Sequence, residues 1–164
     1  MLKKLIIIAT LVAGMTSCKS NSKTARDYNN EIIAKENNLE PEVTATESNV
    51  KRYYEAAQYD SIAAAGERME NLVQKTIDEI KSLSAPKVKG AADFKAAMIR
   101  YFAFIKSLYT GYKEFGQATE EKRQEKLQEI QKIVGEKQDI LTEMQGAQRK
   151  FAEANNFKLE RKTY

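Results

Sequence analysis

Apolar residues recur every three or four positions along most of the chain, and no segment alternates with a period of two. The first spacing places apolar side chains on one face of an α-helix, whereas a half-buried strand needs the alternating pattern. We therefore predict an all-α protein with four long helices, over about residues 25–57, 60–83, 93–115 and 119–154. Sequential helices joined by short loops favour an up-down-up-down four-helix bundle.

The first predicted helix contains a proline in its middle. Its apolar line crosses Pro41 without losing phase, through Tyr28, Ile32, Leu39, Val43, Thr46, Val50, Tyr53 and Ala57. Proline inside a helix removes a backbone hydrogen bond and costs about 3 kcal/mol. We predict one helix kinked at Pro41, and the alternative is two helices that break there.

The third predicted helix carries the strongest apolar pattern. Steps of four and three relate Phe94, Met98, Tyr101, Ile105, Leu108, Tyr112 and Phe115, while Phe102, Phe104 and Tyr109 widen the stripe on its flanks. A face of this width needs neighbours on both sides, which places the helix inside the bundle. Glycine costs about 1 kcal/mol in a helix interior, and Gly116 is a candidate for the end of this helix.

The N-terminal segment has the features of a secretory signal. Lys3 and Lys4 precede an apolar run from Leu5 to Val12, which is shorter than the roughly 20 residues that a transmembrane helix needs. The run is followed by Met-Thr-Ser and then Cys18, the only cysteine of the chain. This segment resembles a bacterial lipoprotein signal, in which the cysteine becomes the lipid-modified first residue, although Met15 replaces the usual leucine.

The solitary cysteine has two interpretations. Cys18 could be an unpaired thiol behind an ordinary secretory signal, but it has no second cysteine with which to form a disulfide. Lipidation of Cys18 explains both its position after the signal and the absence of a second cysteine. The two or three acyl chains of a lipoprotein hold a protein stably in a membrane. We expect a signal peptide over residues 1–17, a short tether over 18–24, a helical domain over 25–157 and a basic tail over 158–164.

The C-terminal stretch adds a second resemblance. Residues 148–159 are similar to the end of a family of small helical surface lipoproteins from double-membrane bacteria, with matches at Phe151, Asn155, Asn156, Phe157 and Leu159 and further matches at Tyr28, Asn29 and Ile32. The family implies a lipid-anchored four-helix protein and brings no established activity. Basic rather than acidic residues follow Cys18, and we therefore expect the periplasmic face of the outer membrane rather than the cell surface.

The charge of the chain is modest and evenly spread. It has 27 basic and 23 acidic residues, which argues against nucleic acid as a partner. The predicted topology gathers a basic cluster at the end of the bundle that holds Cys18, comprising Lys19, Lys23, Arg26, Lys87, Lys89, Arg161 and Lys162. This cluster either faces an anionic membrane or consists of ordinary solvated loops.

Most catalytic and metal-binding patterns are absent from the sequence. The chain has no histidine, no CxxC pair and no glycine-rich phosphate loop, so we expect no enzyme activity, no metal site and no cofactor. Glu36 and Lys137 interrupt apolar lines and form either a polar pair inside the bundle or two charges at its edge. The aromatic residues Tyr101, Phe102, Phe104, Tyr109 and Tyr112 are either packed core or the lining of a pocket for an apolar ligand.

Two functional hypotheses follow from this sequence. The first is a noncatalytic, lipid-anchored envelope protein that serves as a structural or interaction module for an unknown envelope protein. The second is a carrier that binds an apolar or amphipathic small molecule between its helices. The carrier needs a continuous internal cavity of about 300 Å³ or more lined by the aromatic residues of the third helix, whereas the module should be filled.

Overall fold

The computed structural model of the protein describes residues 16–159, with side chains from residue 20 onward, and this part of the chain contains no β-strand. Its five helical segments are α1 (Thr16–Glu55), α2 (Tyr59–Ser82), α3 (Ala91–Gln117), α4 (Glu120–Gly135) and α5 (Lys137–Ala154). Only Glu136 separates α4 from α5, so these two segments together form the fourth rod of the bundle. The predicted all-α four-helix bundle is confirmed.

The first helix passes through Pro41 without a break. Pro41 and Asn37, whose carbonyl loses its helical hydrogen-bond donor, are both exposed, so water can replace the missing bond. The buried positions Leu39 and Thr46 continue the apolar face on the other side of the helix. The predicted single helix is confirmed, and the alternative of two helices broken at Pro41 is wrong.

The N-terminal start of α1 differs from the prediction. The helix begins at Thr16 rather than near Ala25, so residues 18–24 are helical and do not form an extended tether. These residues are polar and carry no apolar periodicity that could have revealed a helix. The Ser22 hydroxyl donates a hydrogen bond to the carbonyl oxygen of Asn156, 3.1 Å away. This bond joins the first part of α1 to the C-terminal segment.

Three parts of the chain meet at one end of the bundle, called the base below. The start of α1 meets the C-terminal segment there, and the Asn155 side-chain amide donates to the carbonyl of Lys89 in the α2–α3 loop at 2.8 Å. Asn156 closes α5 with a left-handed φ of 55°, which turns Phe157 back onto Phe151 with their ring centroids 5.6 Å apart. The base confirms the up-down-up-down order of the four rods.

Two apolar clusters hold the bundle together. The larger one includes the base, where the rings of Phe94 and Phe151 stack with centroids 5.1 Å apart and Tyr28 packs edge-on against both. The smaller one lies at the opposite, distal end and takes one residue from each of α1 to α4, namely Val50, Ile62, Phe115 and Ile130.

The backbones of α2 and α3 touch each other at two glycines. A Cβ atom on Gly66 would lie 2.5 Å from the backbone nitrogen of Lys113, and one on Gly116 would lie 2.5 Å from the backbone nitrogen of Ala63. Because backbone atoms cannot move aside as a flexible side chain can, only glycine fits at these positions. The expectation that Gly116 ends the helix is wrong, since α3 continues to Gln117.

We predict that Gly116→Ala lowers the free energy of unfolding by about 2 kcal/mol, because the added methyl group forces α2 and α3 apart. Gly146→Ala in α5 is the matched control, since a Cβ there meets nothing within 4 Å. The control should raise stability by up to about 1 kcal/mol through its better helix propensity. Urea unfolding measures both variants, and equal stability of the two would contradict close backbone contact.

Candidate functional site

A groove runs between α1 and the fourth rod, with α3 as its floor. The two walls come together at the base, where the Gln148 side-chain amide donates to Asn29 at 3.0 Å, and both contribute to the distal cluster. Between these closures the groove has a volume of about 660 Å³ and is open along one side. It is the part of the described chain that best combines concavity with an apolar lining.

The floor of the groove consists mainly of aromatic residues of α3. All five aromatic candidates from the sequence line it, together with two aliphatic residues: Tyr101, Phe102, Phe104, Ile105, Leu108, Tyr109 and Tyr112. Phe102 and Tyr109 are also fully buried, so they belong to the core and to the groove at once. The two interpretations of the aromatic stripe are therefore not exclusive, because a core that is open on one side presents its aromatic residues to a groove.

The walls repeat the helical spacing of three and four residues. The α1 wall consists of Glu36, Leu39, Glu40, Val43 and Glu47, and the wall of the fourth rod consists of Val134, Lys137, Leu141, Met144 and Gln145. Val134 is 48% exposed, which is unusual for a large aliphatic side chain. The gap between α4 and α5 at Glu136 lies beside this wall, between Val134 and Lys137.

Tyrosine hydroxyls of α3 bridge to carboxylates of α1 across the groove. Tyr112 donates to Glu47 Oε2 at 2.9 Å, and Tyr101 donates to Glu36 Oε1 at 3.2 Å. Burial and the neighbouring Glu47 carboxylate raise the pKa of Tyr109 and of Tyr112, so both phenols stay protonated at neutral pH. They are therefore permanent hydrogen-bond donors in the groove.

Oε1 of Glu47 and the hydroxyl of Tyr109 are both buried, and Tyr109 is only 1% exposed. The Tyr109 hydroxyl faces the Glu47 carboxylate, whose charge and hydrogen bond help to raise the pKa of this phenol. Buried polar groups in native proteins are nearly always paired. Glu47 is therefore the polar neighbour of two phenols of α3, Tyr109 and Tyr112.

The two charges singled out in the sequence both border the groove but do not pair with each other in the described structure. Glu36 is half-buried and accepts the hydroxyl of Tyr101, whereas Lys137 is exposed. Lys137 therefore lies at the edge of the bundle, which agrees with its interpretation as an edge charge and not with a polar pair inside the bundle. The sequence did not identify Glu40 and Glu47, although the spacing 36, 40, 43 and 47 marks one face of α1 beside its core line.

A second depression lies between α3 and α5 near the base and has a volume of about 640 Å³. Charged side chains, among them Lys89, Asp93 and Lys150, alternate around it with glycine and alanine residues. The Arg100 guanidinium spans it from α3 to Glu143 of α5, with its Nε 2.8 Å from Oε1 of Glu143. Charges of both signs partly neutralise each other there, so this depression offers a ligand less than the aromatic groove does.

The predicted basic cluster falls partly within the described residues. Lys23, Arg26, Lys87 and Lys89 are exposed at the base, and Lys23 pairs with Asp27 at 2.9 Å. The side chains of Lys19 and Cys18 and the residues Arg161 and Lys162 lie outside the described part. At the distal end Arg123 stacks on the ring of Tyr59, and Lys126 pairs with Glu114.

Two further searches of residues 16–159 gave no site. No group of three or more cysteine, aspartate or glutamate side chains is arranged there to hold a metal ion. None of the helices in that range is long and apolar enough to cross a membrane.

Comparison of the chain with protein-family models, with curated proteins and with solved structures gives no significant match.

We predict unequal losses of stability for the two tyrosine hydroxyls beside Glu47. Tyr112→Phe removes the hydrogen bond to Glu47 at 2.9 Å and should lower the free energy of unfolding by about 2 kcal/mol. Tyr109→Phe removes a hydroxyl whose contact with the same carboxylate has poorer geometry, and should lower it by about 0.5 kcal/mol. Each substitution deletes a single oxygen atom, so each is the control for the other. Thermal or urea unfolding measures the difference, and a larger loss for Tyr109→Phe would contradict the prediction.

Proposed function

We propose that this protein is a noncatalytic, lipid-anchored protein of the bacterial cell envelope that binds an apolar or amphipathic small molecule in the groove between α1 and the fourth rod. The observation that carries the proposal is the groove of about 660 Å³ with an aromatic floor. The groove is open along one side and is not the internal cavity expected of a carrier, but its volume falls within the range of ordinary ligand pockets.

The lining of the groove supports a small molecule with a long apolar part. Aromatic and aliphatic side chains such as Phe104, Leu108 and Leu141 form most of the surface, and a few carboxylates and hydroxyls stand among them. Ligand pockets have this composition, because apolar contact provides affinity while a small number of polar groups fixes orientation. Burying a ligand methylene contributes about 0.8 kcal/mol, so an alkyl chain of about ten carbons or more is needed for micromolar binding from apolar contact alone.

The continuous α1 relates the proposed anchor to the groove. The helix runs without a break from Thr16, so the backbone of residue 18 lies roughly 27 Å along the helix axis from Glu36, at about 1.5 Å per residue. A lipid on Cys18 would thus hold the groove at a fixed distance from the attachment point. This arrangement supports a protein that receives its ligand outside the hydrocarbon core of the membrane.

The binding proposal is tested with the neutral fluorescent probe N-phenyl-1-naphthylamine and variants that fill the groove. Val43→Trp and Val134→Trp add bulk on opposite walls and should each weaken probe binding by about tenfold. The matched controls Ala45→Trp and Gln131→Trp place the same indole on exposed positions of α1 and α4 that do not line the groove. These controls should bind like the original protein.

Absence of probe binding would refute the proposal, as would equal affinity of the groove variants and their controls. Because two variants fill the groove from different helices, misfolding of one does not remove the test. Helical content by circular dichroism identifies any variant that has lost its fold.

The anchor is tested by mass spectrometry of the protein isolated from the membranes of its native host. We expect a mature chain that begins at Cys18 and carries acyl chains on this residue, and a Cys18→Ser variant that carries none. A free thiol at Cys18, or a mature chain that begins after it, would overturn the anchor and leave the groove proposal in place.

A further inference from the structure

All charged side chains in the segments that form the base are basic. These segments are the start of α1 over residues 20–26, the α2–α3 loop over 83–90 and the C-terminal residues 155–159. They contain no aspartate or glutamate, and their cations are Lys23, Arg26, Lys87, Lys89 and Lys158. The loops at the distal end, residues 56–58 and 118–119, contain no charged side chain. The two ends of the bundle therefore differ in charge.

Most of these cations have no acidic partner in the described part of the chain. Lys23 pairs with Asp27 at 2.9 Å, whereas the other four are exposed and form no salt bridge there. Two more carboxylates stand close by in the sequence, Asp93 in the first turn of α3 and Glu153 in the last turn of α5. The cations of the base thus outnumber the carboxylates around them, and their charge is available to a partner.

The fold directs the lysines of the base away from the bundle. Their sequence neighbours Pro86, Val88 and Phe157 are half-buried, and Val88 and Phe157 pack against the larger apolar cluster. The Asn155 side chain donates to the carbonyl of Lys89 at 2.8 Å, which ties the α2–α3 loop to the C-terminal segment. Because these contacts fix the backbone that carries the lysines, the cationic surface is already formed before a partner binds.

The base is also the end of the bundle at which the proposed lipid attaches. The backbone of residue 18 lies about 6 Å along the axis of α1 from Ser22, at about 1.5 Å per residue. Ser22 bonds to Asn156 in the C-terminal segment. A lipid on Cys18 would therefore bring the three segments of the base close to the membrane. A flat surface can touch all three together, because they lie at one end of the bundle.

We propose that the base is a docking surface for a membrane that contains anionic lipids, and that it holds the bundle with its helices pointing away from this membrane. The negative surface potential of such a membrane attracts cations that lie near it. Half-buried apolar residues beside the lysines, such as Pro86 and Leu159, suit contact with the interface between head groups and acyl chains. The docking uses residues outside the groove and rests on the proposed anchor only for the side from which the membrane approaches.

Docking at the base sets the height of the groove above the membrane. Glu36 is the residue of the α1 wall closest to the base, and it lies about 21 Å along the helix axis from Ser22. The open side of the groove then faces the aqueous space beside the bundle. A ligand in the groove would therefore enter and leave through water rather than directly from the bilayer.

The first test measures vesicle binding of the mature chain from residue 18 with Cys18→Ser, which carries no acyl chain. Its partners are phosphatidylethanolamine vesicles with about 30% phosphatidylglycerol and neutral phosphatidylcholine vesicles, compared by sedimentation. We expect about tenfold or more tighter binding to the anionic vesicles at low salt, because the cations of the base meet opposite charge. Raising the salt from about 20 to about 200 mM should reduce this difference.

Removal of two charges from the base should weaken this binding. Lys87→Gln combined with Lys89→Gln should lower the affinity for the anionic vesicles about tenfold or more, since each cation near an anionic surface strengthens binding about fivefold. Lys122→Gln combined with Lys132→Gln is the matched control, which removes the same net charge from exposed positions of α4. The control should keep its affinity within about twofold of the original.

A fluorescent label reports the orientation directly, because Cys18→Ser leaves a chain without cysteine. Ser84→Cys places the label in the α2–α3 loop, and Gln58→Cys places it in the loop between α1 and α2 at the distal end. Both positions are exposed, so both accept the label. Brominated lipids in the anionic vesicles quench on contact and should quench the label at residue 84 but not at residue 58.

Four results would overturn the docking surface. They are absence of binding to anionic vesicles, equal binding to both kinds of vesicle, equal losses in the two double variants, and equal quenching at the two labelled positions. Binding to polyglutamate as tight as binding to anionic vesicles would point to an acidic protein partner and would overturn it as well.

These results differ from a failure of the proposed function. Binding of the neutral probe tests the groove and mass spectrometry tests the anchor, and neither measurement depends on the charges of the base. The double variant at Lys87 and Lys89 should bind the neutral probe like the original protein, which also shows that it has kept its fold.

Discussion

The contact between the backbones of α2 and α3 at Gly66 and Gly116 determines where the other helices can lie. Without side chains at these two positions the helices approach until the glycine backbones meet Lys113 and Ala63 of the facing helix. The wide aromatic stripe of α3 must then be covered by elements other than α2. α1 and the fourth rod cover it from two sides, and α3 becomes the central helix of the bundle.

The groove forms because α1 and the fourth rod pack on different helices. α1 packs mainly on α2 and reaches α3 through long side chains, as the bonds from Tyr101 to Glu36 and from Tyr112 to Glu47 show. The fourth rod packs on α3 and meets α1 at the base and in the distal cluster. Large aromatic rings of α3 fill the space between α1 and α3 and keep the α1 wall apart from the fourth rod. The same residues therefore stabilise the bundle and leave one side of it open.

The sequence predicted the fold well because helix faces follow directly from the spacing of apolar residues. It also identified the five aromatic residues and the two charges that border the groove. The sequence did not show whether those aromatic residues would be enclosed or would line an open groove, because this depends on the distances between helices. Those distances depend in turn on glycines, whose only sequence signal is a poor helix propensity. The early start of α1 was equally hidden, because residues 16–24 are polar and one contact that joins them to the bundle is a hydrogen bond to the distant Asn156.

The placement of Glu47 is the strongest reason to regard the groove as more than a packing defect. A carboxylate at the edge of a bundle normally turns to solvent, where exposure costs nothing and a long side chain keeps its freedom. Glu47 instead accepts the hydroxyl of Tyr112 with one oxygen and turns the other, buried, towards the hydroxyl of Tyr109. A carboxylate that faces two phenols of α3 has a fixed position, and a preorganised wall lowers the entropy that is lost when a ligand binds. Glu47 therefore joins α1 to α3 and fixes the wall of the groove that α1 provides.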